Sequence, residues 1–401
     1  MFDRRISGII LFWILALVCQ AQETLNSKEV EEKSYQLLLD KNWGALIQLG
    51  QMSLDNHIDY FYLRLRIGIA WYEQGHYRQA IQHFEKALEF NSEDAVAQEY
   101  YYYSLLFAGQ FDESKKYASI IAEPLRSKLG VDKMIGVNLL YAEMGPKISS
   151  RSDLYTNAFY FQAGLNHSVG KKFSVSHIYT YYGQNLSQGP FSQHQYYITA
   201  NIPLAKGWSL SPAFHLVGQK LDSTISLQGG QGKPPRSSNI TVSSSSVVGS
   251  LAITKRFSFA DVAYASMISN VEGTNQYIQQ FTLTVYPSGS NNFYLGSIAY
   301  YHWEQKYGGT FALNSYVSFK PTSRLTLQAL YFTNKNANLI ERNGYFVNNS
   351  PELTTSRWSG IVEVSFNRHV SMYGIYMLEN KKTAADTFSY STFILGLKII
   401  P

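Results

Sequence analysis

From about residue 131 to the end of the chain, apolar and polar residues alternate with a period of two. In "QQFTLTVYP" (279–287), Phe281, Leu283 and Val285 share one face, and polar side chains occupy the other. "RLTLQALYF" and "WSGIVEVSF" repeat the pattern. Because successive side chains of a β-strand point to opposite faces, this pattern indicates a sheet between an apolar and a polar environment. Helices are excluded for most of the chain.

Fourteen segments carry strand character. Most are longer than the five or six residues usual in soluble sheets, and they reach the ~9–11 residues that a tilted strand needs to cross a bilayer. The segments are 132–143, 153–168, 172–184, 192–204, 208–222, 239–254, 257–271, 275–287, 292–305, 309–320, 324–336, 354–367, 370–381 and 386–400.

The connections between these segments alternate in length. Short turns such as "GKK", "AKG" and "KPTS" are separated mostly by longer polar links such as "LIERNGYFVNNSPELTT". Short turns at one end and long loops at the other are typical of outer-membrane β-barrels. An even number of strands also places both ends of the barrel at the short-turn side.

A soluble sandwich or propeller is the alternative to a barrel. It would need shorter strands and fewer aromatic residues, whereas aromatics make up 15% of this chain. Some segments, such as "FSFADVAYASM", alternate poorly, and the apolar last strand ends at Pro401 instead of an aromatic residue. Since no run of about 18 apolar residues follows the first segment, a chain that spans a membrane must do so as a closed barrel.

The first residues have the pattern of a secretory signal peptide. Arg4 and Arg5 precede an apolar stretch, 9–18, and Cys19 to Ala21 forms a small-residue cleavage site, so the mature chain is expected to begin at Gln22. A lipoprotein with acylated Cys19 is the alternative, against which Val18 is a poor preceding residue. Because Cys19 is the only cysteine, the mature chain has no disulfide, cysteine metal site or thiol nucleophile.

Helical periodicity is confined to the N-terminal part. Trp43, Tyr77 and Phe111 occur at intervals of 34 residues within similar segments, of which "IAWYEQGHYRQAIQHFEKALEFN" is the clearest. This segment resembles the consensus of the tetratricopeptide repeat (TPR), a hairpin of two helices. Small residues such as Gly68 and Ala80 suit the close approach of the helices.

In the TPR family, the first helix of each hairpin lines a groove that binds peptides or partner proteins. The resemblance therefore implies a groove at nine positions. The alternative is that these aromatic residues pack on the neighbouring domain, since three repeats leave apolar surface uncovered. The positions are Tyr62, Leu65, Ile69, Tyr72, Glu73, Val96, Glu99, Tyr103 and Phe107.

We find no motif for catalysis or metal binding. The net charge of +5 and the absence of a long basic run argue against nucleic acid. The neighbouring pairs His167–Ser168 and Ser176–His177 are expected to be ordinary strand residues, although a lipid hydrolase would use such residue types. Three charged residues of the strands could face a lumen and set ion preference, or pair with one another: Glu363, Arg324 and Asp261.

Together the patterns predict an α+β multidomain chain: a signal peptide (1–21), a TPR-like helical domain (22–130) and an antiparallel transmembrane β-barrel of about 14 strands (131–401). This order resembles outer-membrane proteins with periplasmic TPRs and a C-terminal barrel, including exopolysaccharide exporters and YaiO-type barrels. The resemblance implies a Gram-negative outer-membrane location, contact with its lipid, and a periplasmic protein partner for export or assembly of a surface polymer or protein. The alternative is a passive pore or structural protein with the helices as plug or spacer. No enzyme activity, cofactor, metal or nucleic acid is expected.

Overall fold

The computed structural model describes residues 26–130, 136–153, 155–170, 172–227, 236–305, 308–334, 340–347 and 352–401. The predicted signal peptide and Cys19 lie outside the described residues. In the described part of the chain, no helix is both long enough and apolar enough to cross a bilayer.

Seven helices form the N-terminal part within these ranges, and we call them together the helical unit. The odd-numbered helices α1, α3 and α5 begin at residues 27, 61 and 95, and α2, α4 and α6 begin at 43, 77 and 111, so both series advance by 34 residues. The helices are α1 (Ser27–Leu39), α2 (Trp43–Asp55), α3 (Phe61–Glu73), α4 (Tyr77–Phe90), α5 (Ala95–Phe107), α6 (Phe111–Ala118) and α7 (Leu125–Lys128).

Side-chain caps and small residues explain how these helices start and pack. Asn26, Asn42 and Asp94 accept hydrogen bonds from backbone N–H groups in the first turns of α1, α2 and α5. The ring of Phe84 in α4 is fully buried and packs directly against Gly68 of α3. Any side chain at Gly68 would overlap the ring, so this glycine sets the distance between the two helices.

Fourteen antiparallel strands close into a barrel, in the order β1-β16-β15-β14-β11-β10-β9-β8-β7-β6-β5-β4-β3-β2. The first and last strands pair with each other and close the cylinder. The strands are β1 (Val137–Ser149), β2 (Ala158–Val169), β3 (Phe173–Leu186), β4 (Gly189–Pro203), β5 (Trp208–Leu227), β6 (Arg236–Arg256), β7 (Ala260–Ser269), β8 (Gln276–Val285), β9 (Phe293–Glu304), β10 (Gly308–Phe319), β11 (Leu325–Thr333), β14 (Leu353–Ser365), β15 (Val370–Lys382) and β16 (Thr387–Ile399), and a separate two-stranded hairpin consists of β12 (Ile340–Glu341) and β13 (Phe346–Val347).

The predicted barrel of about 14 strands is confirmed, with one clear shift. The first strand is Val137–Ser149 and not 132–143, and residues 131–135 lie outside the described ranges. It continues through Gly145 and Pro146, residue types that favour a break. Proline is tolerated here because the pairing with β2 continues through both residues, whereas no pairing with β16 is seen at these two positions.

Alternation along the strands separates an outer face from a lumen. In β8, Tyr277, Phe281 and Leu283 are exposed on the outside, while Gln280 and Thr284 are buried inside. The predicted faces of "QQFTLTVYP", "RLTLQALYF" and "WSGIVEVSF" are seen in the structure. The outer face is therefore an apolar band, and the interior carries both polar and apolar side chains.

We name the two ends of the barrel by their connections. The short-turn end carries the turns after β2, β4, β6, β8, β10 and β14, together with the start of β1 and the end of β16. The opposite, long-loop end carries the connection from residue 334 to residue 352. The predicted contrast in connection length between the two ends holds only in part. At the long-loop end, β3 and β4 are joined by a short turn made of Ser187 and Gln188.

Candidate functional site

The long connection between β11 and β14 does not lie outside the barrel. Its residues 340–347, which we call the lumen hairpin, fold into the interior. Ile340 and Val347 are buried in the largest apolar cluster of the described residues. Apart from Val271, which lies in the short 3-10 helix between β7 and β8, the other members of this cluster come from the inner wall on β5 to β11: Val217, Val248, Met267, Ile278, Ile298, Tyr300, Ala312 and Phe332. One side of the hairpin is thus held against the wall by apolar packing.

The tip of the lumen hairpin is held by hydrogen bonds. His215 Nδ1 lies 2.7 Å from Gly344 O, Ser250 Oγ donates to Asn343 Oδ1 at 2.8 Å, and Asn343 N donates to Gln280 Oε1 at 3.0 Å. Asn343 and Gly344 have φ of 58° and 82°, a conformation that Asn-Gly adopts readily in tight hairpins. The tip is therefore fixed from β5, β6 and β8 near mid-strand.

The other side of the hairpin faces a charged wall. Arg357 Nη2 donates to Glu341 Oε2 at 2.6 Å, and its guanidinium also lies over the rings of Phe332 and Phe346. Both members of the Arg357–Glu341 pair are almost fully buried. Taking two charges from water is costly, so the pair is stable only while both partners are present. It links the hairpin to β14.

A second polar group lies in the lumen near the hairpin tip. Glu143 of β1 accepts hydrogen bonds from the hydroxyls of Tyr160 and Tyr373. Gln162 of β2 accepts one from Tyr345 of the lumen hairpin. Because β2 and β8 are on different sides of the barrel, bonds to Gln162 and Gln280 show that the hairpin crosses the lumen and narrows it.

The helical unit contacts the short-turn end. Arg78, at the start of α4, donates to both carboxylate oxygens of Asp261, at 2.8 and 3.0 Å, and its guanidinium lies 3.5 Å from the centre of the Tyr286 ring. The backbone N–H of Arg78 also donates to Gly289 O. Since the Arg78 side chain is only 3% exposed, this contact is a buried anchor.

A second anchor comes from α6. Asp112 accepts hydrogen bonds from Ser174 and Asn201, and Glu113 pairs with Arg256. Burial raises the pKa of Glu113, against the opposing effect of the Arg256 charge. The helical unit therefore docks on the mouth through α4 and α6, and these contacts are mainly polar.

The predicted groove lies on other helices. Tyr62, Val96 and Phe107 are strongly exposed, whereas Leu65 is buried between helices. Glu99 forms an ion pair with Lys128. The nine positions belong to α3 and α5, and the structure shows for them no hydrogen bond, ion pair or ring contact with any described barrel residue. Both the partner-binding groove and the alternative, packing of these residues on the neighbouring domain, stay predictions.

Five rings form one partly buried cluster in and beside this groove, of which Phe107 is strongly exposed. Tyr72 lies 4.9 Å from Tyr100, 5.3 Å from Tyr77 and 6.2 Å from Phe107, and Tyr103 lies 6.0 Å from Phe107, measured between ring centres. Burial raises the pKa of Tyr72 to about 12. Sequence analysis missed Tyr77 and Tyr100 as groove residues, although the register of the repeat places both beside the predicted set.

The three predicted lumen charges do not pair with one another. Glu363 faces inward and pairs with Lys398 at 2.7 Å. Asp261 also faces inward and pairs with Arg78 of the helical unit. Arg324 is exposed at the short-turn end. Two of the three are therefore neutralised by other partners, and Arg324 forms no ion pair with a described residue.

The neighbouring His–Ser pairs cannot act as catalytic dyads. His167 points outward, with Nε2 at 3.1 Å from His177 Nε2, whereas Ser168 points inward and bonds to Asn138. Ser176 and His177 are separated by the wall in the same way. Among the residues that the structure describes, no three His, Cys, Asp or Glu are grouped to hold a metal ion.

No protein-family model and no curated protein matches this sequence. Among solved structures, the chain is similar to the CymD monoaromatic hydrocarbon channel, with 10% identity, a TM-score of 0.45 and coverage of 68% of this chain and 90% of that chain. It is also similar to a Pseudomonas aeruginosa FadL homologue (10%, 0.41, 66% and 89%) and to a bacterial polysaccharide outer membrane secretin (7%, 0.39, 67% and 100%). Similarity at this level assigns neither a family nor a function to the chain.

Proposed function

We propose that this chain is an outer-membrane β-barrel with a constricted lumen and a periplasmic TPR domain that recruits a protein partner, in support of export or assembly of a surface polymer or protein. One observation carries the proposal. The helical unit docks on the barrel through α4 and α6, and this leaves the aromatic groove on α3 and α5 free for a partner.

The outer face supports a membrane location. It is an apolar band with exposed aromatic residues near both ends, as lipid-facing barrels have at their two interfaces. The belt at the short-turn end consists of Trp208, Phe257, Phe259, Phe293, Phe319 and Phe366, and the belt at the long-loop end consists of Phe159, Tyr277, Tyr301, Trp303 and Phe311.

The position of the helical unit supports the orientation. In outer-membrane barrels the short turns face the periplasm, and the helical unit contacts this end alone among the described residues. The 34-residue advance of both helix series supports its assignment as TPR hairpins (22–130).

The lumen hairpin and the docked helical unit argue against a permanently open pore. A barrel that is narrowed by a fixed hairpin and partly covered at its short-turn end suits a channel that opens when a partner binds. The second candidate is a passive pore in which the helices serve as a plug, and the buried Arg78–Asp261 anchor favours it.

Site-specific photo-crosslinking in cells tests the partner. A photoreactive residue at Phe107, in the groove, is expected to give one dominant adduct with a periplasmic protein. The same residue at Met52, which is similarly exposed on α2 outside the groove, is the matched control and is expected to give none. Equal patterns at both positions, or no adduct at either, would contradict partner recruitment.

Conductance in planar bilayers separates the two candidates. The intact chain is expected to conduct poorly, and the purified crosslinked partner is expected to raise the open probability. If the isolated chain conducts steadily and the partner has no effect, the passive pore is the better description.

A further inference from the structure

Part of the short-turn rim is left uncovered by the helical unit. Helical contacts reach β1, β2, β3, β4, β6, β7 and the turn after β8. None of the hydrogen bonds or ion pairs of the described residues joins a helix to the turns at 320–324 and 366–369. We call these two turns, which lie between β10 and β15, the open arc.

The open arc is basic, and neither of its two turns contains an acidic residue. Lys320, Arg324 and Arg368 are exposed. Lys320 and Arg324 form no ion pair with a described residue, and the guanidinium of Arg368 bonds only to the neighbouring His369. The nearest acid along the strands, Glu363, is paired with Lys398 in the lumen. Three positive charges therefore face outward unpaired.

Two exposed cations at the long-loop end are paired with acids. There, Lys220 pairs with Asp222 at 2.8 Å and Arg151 pairs with Asp386 at 2.8 Å. Along the covered part of the short-turn rim, Arg256 is neutralised by Glu113. The open arc thus carries three exposed cations that no described helix contacts.

Aromatic residues place the open arc at a defined depth. Phe319, which precedes the first turn, and Phe366, which begins the second, are 49% and 54% exposed on the outer face. Aromatic side chains at the edge of an apolar band lie at the level of lipid headgroups. The three cations would then lie beside the lipid phosphates, where guanidinium and ammonium groups bind well.

We propose that the open arc binds the phosphate groups of anionic phospholipids in the leaflet at the short-turn end. This inference rests on the membrane location proposed above. The chemistry is ionic, with charge-assisted hydrogen bonds from Arg324 and Arg368 and a point charge from Lys320.

The test compares lipid binding by the full chain and two triple variants in detergent micelles, using native mass spectrometry with phosphatidylglycerol and phosphatidylcholine as probes. The wild type is expected to prefer phosphatidylglycerol. K320Q/R324Q/R368Q is expected to lose preference by about five-fold for each charge removed, on the order of 100-fold in total. The matched control R151Q/K220Q/K382Q has the same charge change at the long-loop end and is expected to keep most of the preference for phosphatidylglycerol.

Equal binding of both lipids by the wild type, or an equal loss in both triple variants, would overturn the inference. Heat-modifiable gel mobility after insertion into phosphatidylcholine vesicles is measured in parallel for all three proteins. Insertion without lipid preference contradicts this inference alone, whereas failure of the wild type to insert contradicts the membrane location as well.

Discussion

Substitution of Arg78 by alanine tests how the helical unit is held on the barrel. The Arg78 side chain donates two hydrogen bonds to Asp261 and one to Phe257 O, and it lies over the Tyr286 ring. All of these partners belong to the barrel. Arg78→Ala is therefore expected to release α4 from the mouth without unfolding either part.

The magnitude follows from burial. Breaking a buried ion pair by removing one partner costs about 3–5 kcal/mol, because the other charge stays buried and unpaired. The Asp261 side chain is 19% exposed, so water relieves part of this cost and we expect about 3 kcal/mol. The equilibrium between docked and undocked states then shifts by about 100-fold.

Hydrogen exchange by mass spectrometry measures this shift. The backbone bond from Arg78 N to Gly289 O lies in the interface, so exchange in α4 and in residues 286–292 is expected to accelerate in Arg78→Ala. Arg64→Ala is the matched control, because Arg64 pairs with Asp59 inside the helical unit.

A double-mutant cycle with Asp261→Ala completes the test. The losses of docking free energy in the two single variants are expected to sum to at least about 1.5 kcal/mol more than the loss in the double variant. Additive effects, or equal acceleration in Arg78→Ala and Arg64→Ala, would refute the reasoning.

Three further predictions concern the hairpin and the helices. Glu341→Ala leaves Arg357 buried without its partner and is expected to weaken hairpin anchoring by about 3–5 kcal/mol. Conductance in planar bilayers measures this effect, and we expect larger and noisier currents. Unchanged currents would contradict the anchoring role. Gly68→Ala puts a methyl group within 3 Å of a buried ring and is expected to destabilise the helical unit by about 1–3 kcal/mol, whereas Gly44→Ala meets nothing within 4 Å and should stabilise it by up to about 1 kcal/mol; thermal melts followed by circular dichroism distinguish the two. Burial and then the Arg64 charge lower the pKa of His83 from 6.5 to about 4, so the helical unit is expected to be most stable above pH 6.5 and to lose stability as the pH falls towards 4; His83→Gln should flatten this dependence, and an unchanged pH profile would count against it.

Most of the barrel can be predicted from the sequence because two requirements apply to each strand: its alternation and its register. Alternation must match the two faces, and a shift of one residue would turn the whole apolar set into the lumen. For that reason the predicted segments 257–271, 275–287 and 292–305 agree closely with the observed strands. The shift in β1 arises where Gly145 and Pro146 continue a strand that local preference would end.

The lumen hairpin was missed because its connection reads as a long polar loop. A signal was present: in "IERNGYFV", Asn-Gly lies between two short segments whose outer ends are the apolar residues Ile340 and Val347, and Asn-Gly is a strong hairpin signal. The pattern predicts a hairpin but not its position. Insertion into the lumen depends on contacts with β2, β5, β6, β8 and β14, which are far apart in sequence.

The docking of the helical unit could not be predicted for a similar reason. Arg78 and Asp261 are ordinary charged residues in their own segments, and their pairing joins positions 183 residues apart. By contrast, the 34-residue spacing of Trp43, Tyr77 and Phe111 is local, and each of these residues begins a helix.

The central claim is that the C-terminal strands span a membrane with their apolar faces in lipid. Spin labels test it directly. One label is placed at each of the five positions 281 to 285 of β8, one per variant, in the full chain in phospholipid vesicles. Accessibility to oxygen, which dissolves in lipid, should be high at residues 281, 283 and 285, and accessibility to a water-soluble nickel reagent should be higher at 282 and 284. Uniformly high access of the nickel reagent at all five positions would show that these strands face water on both sides.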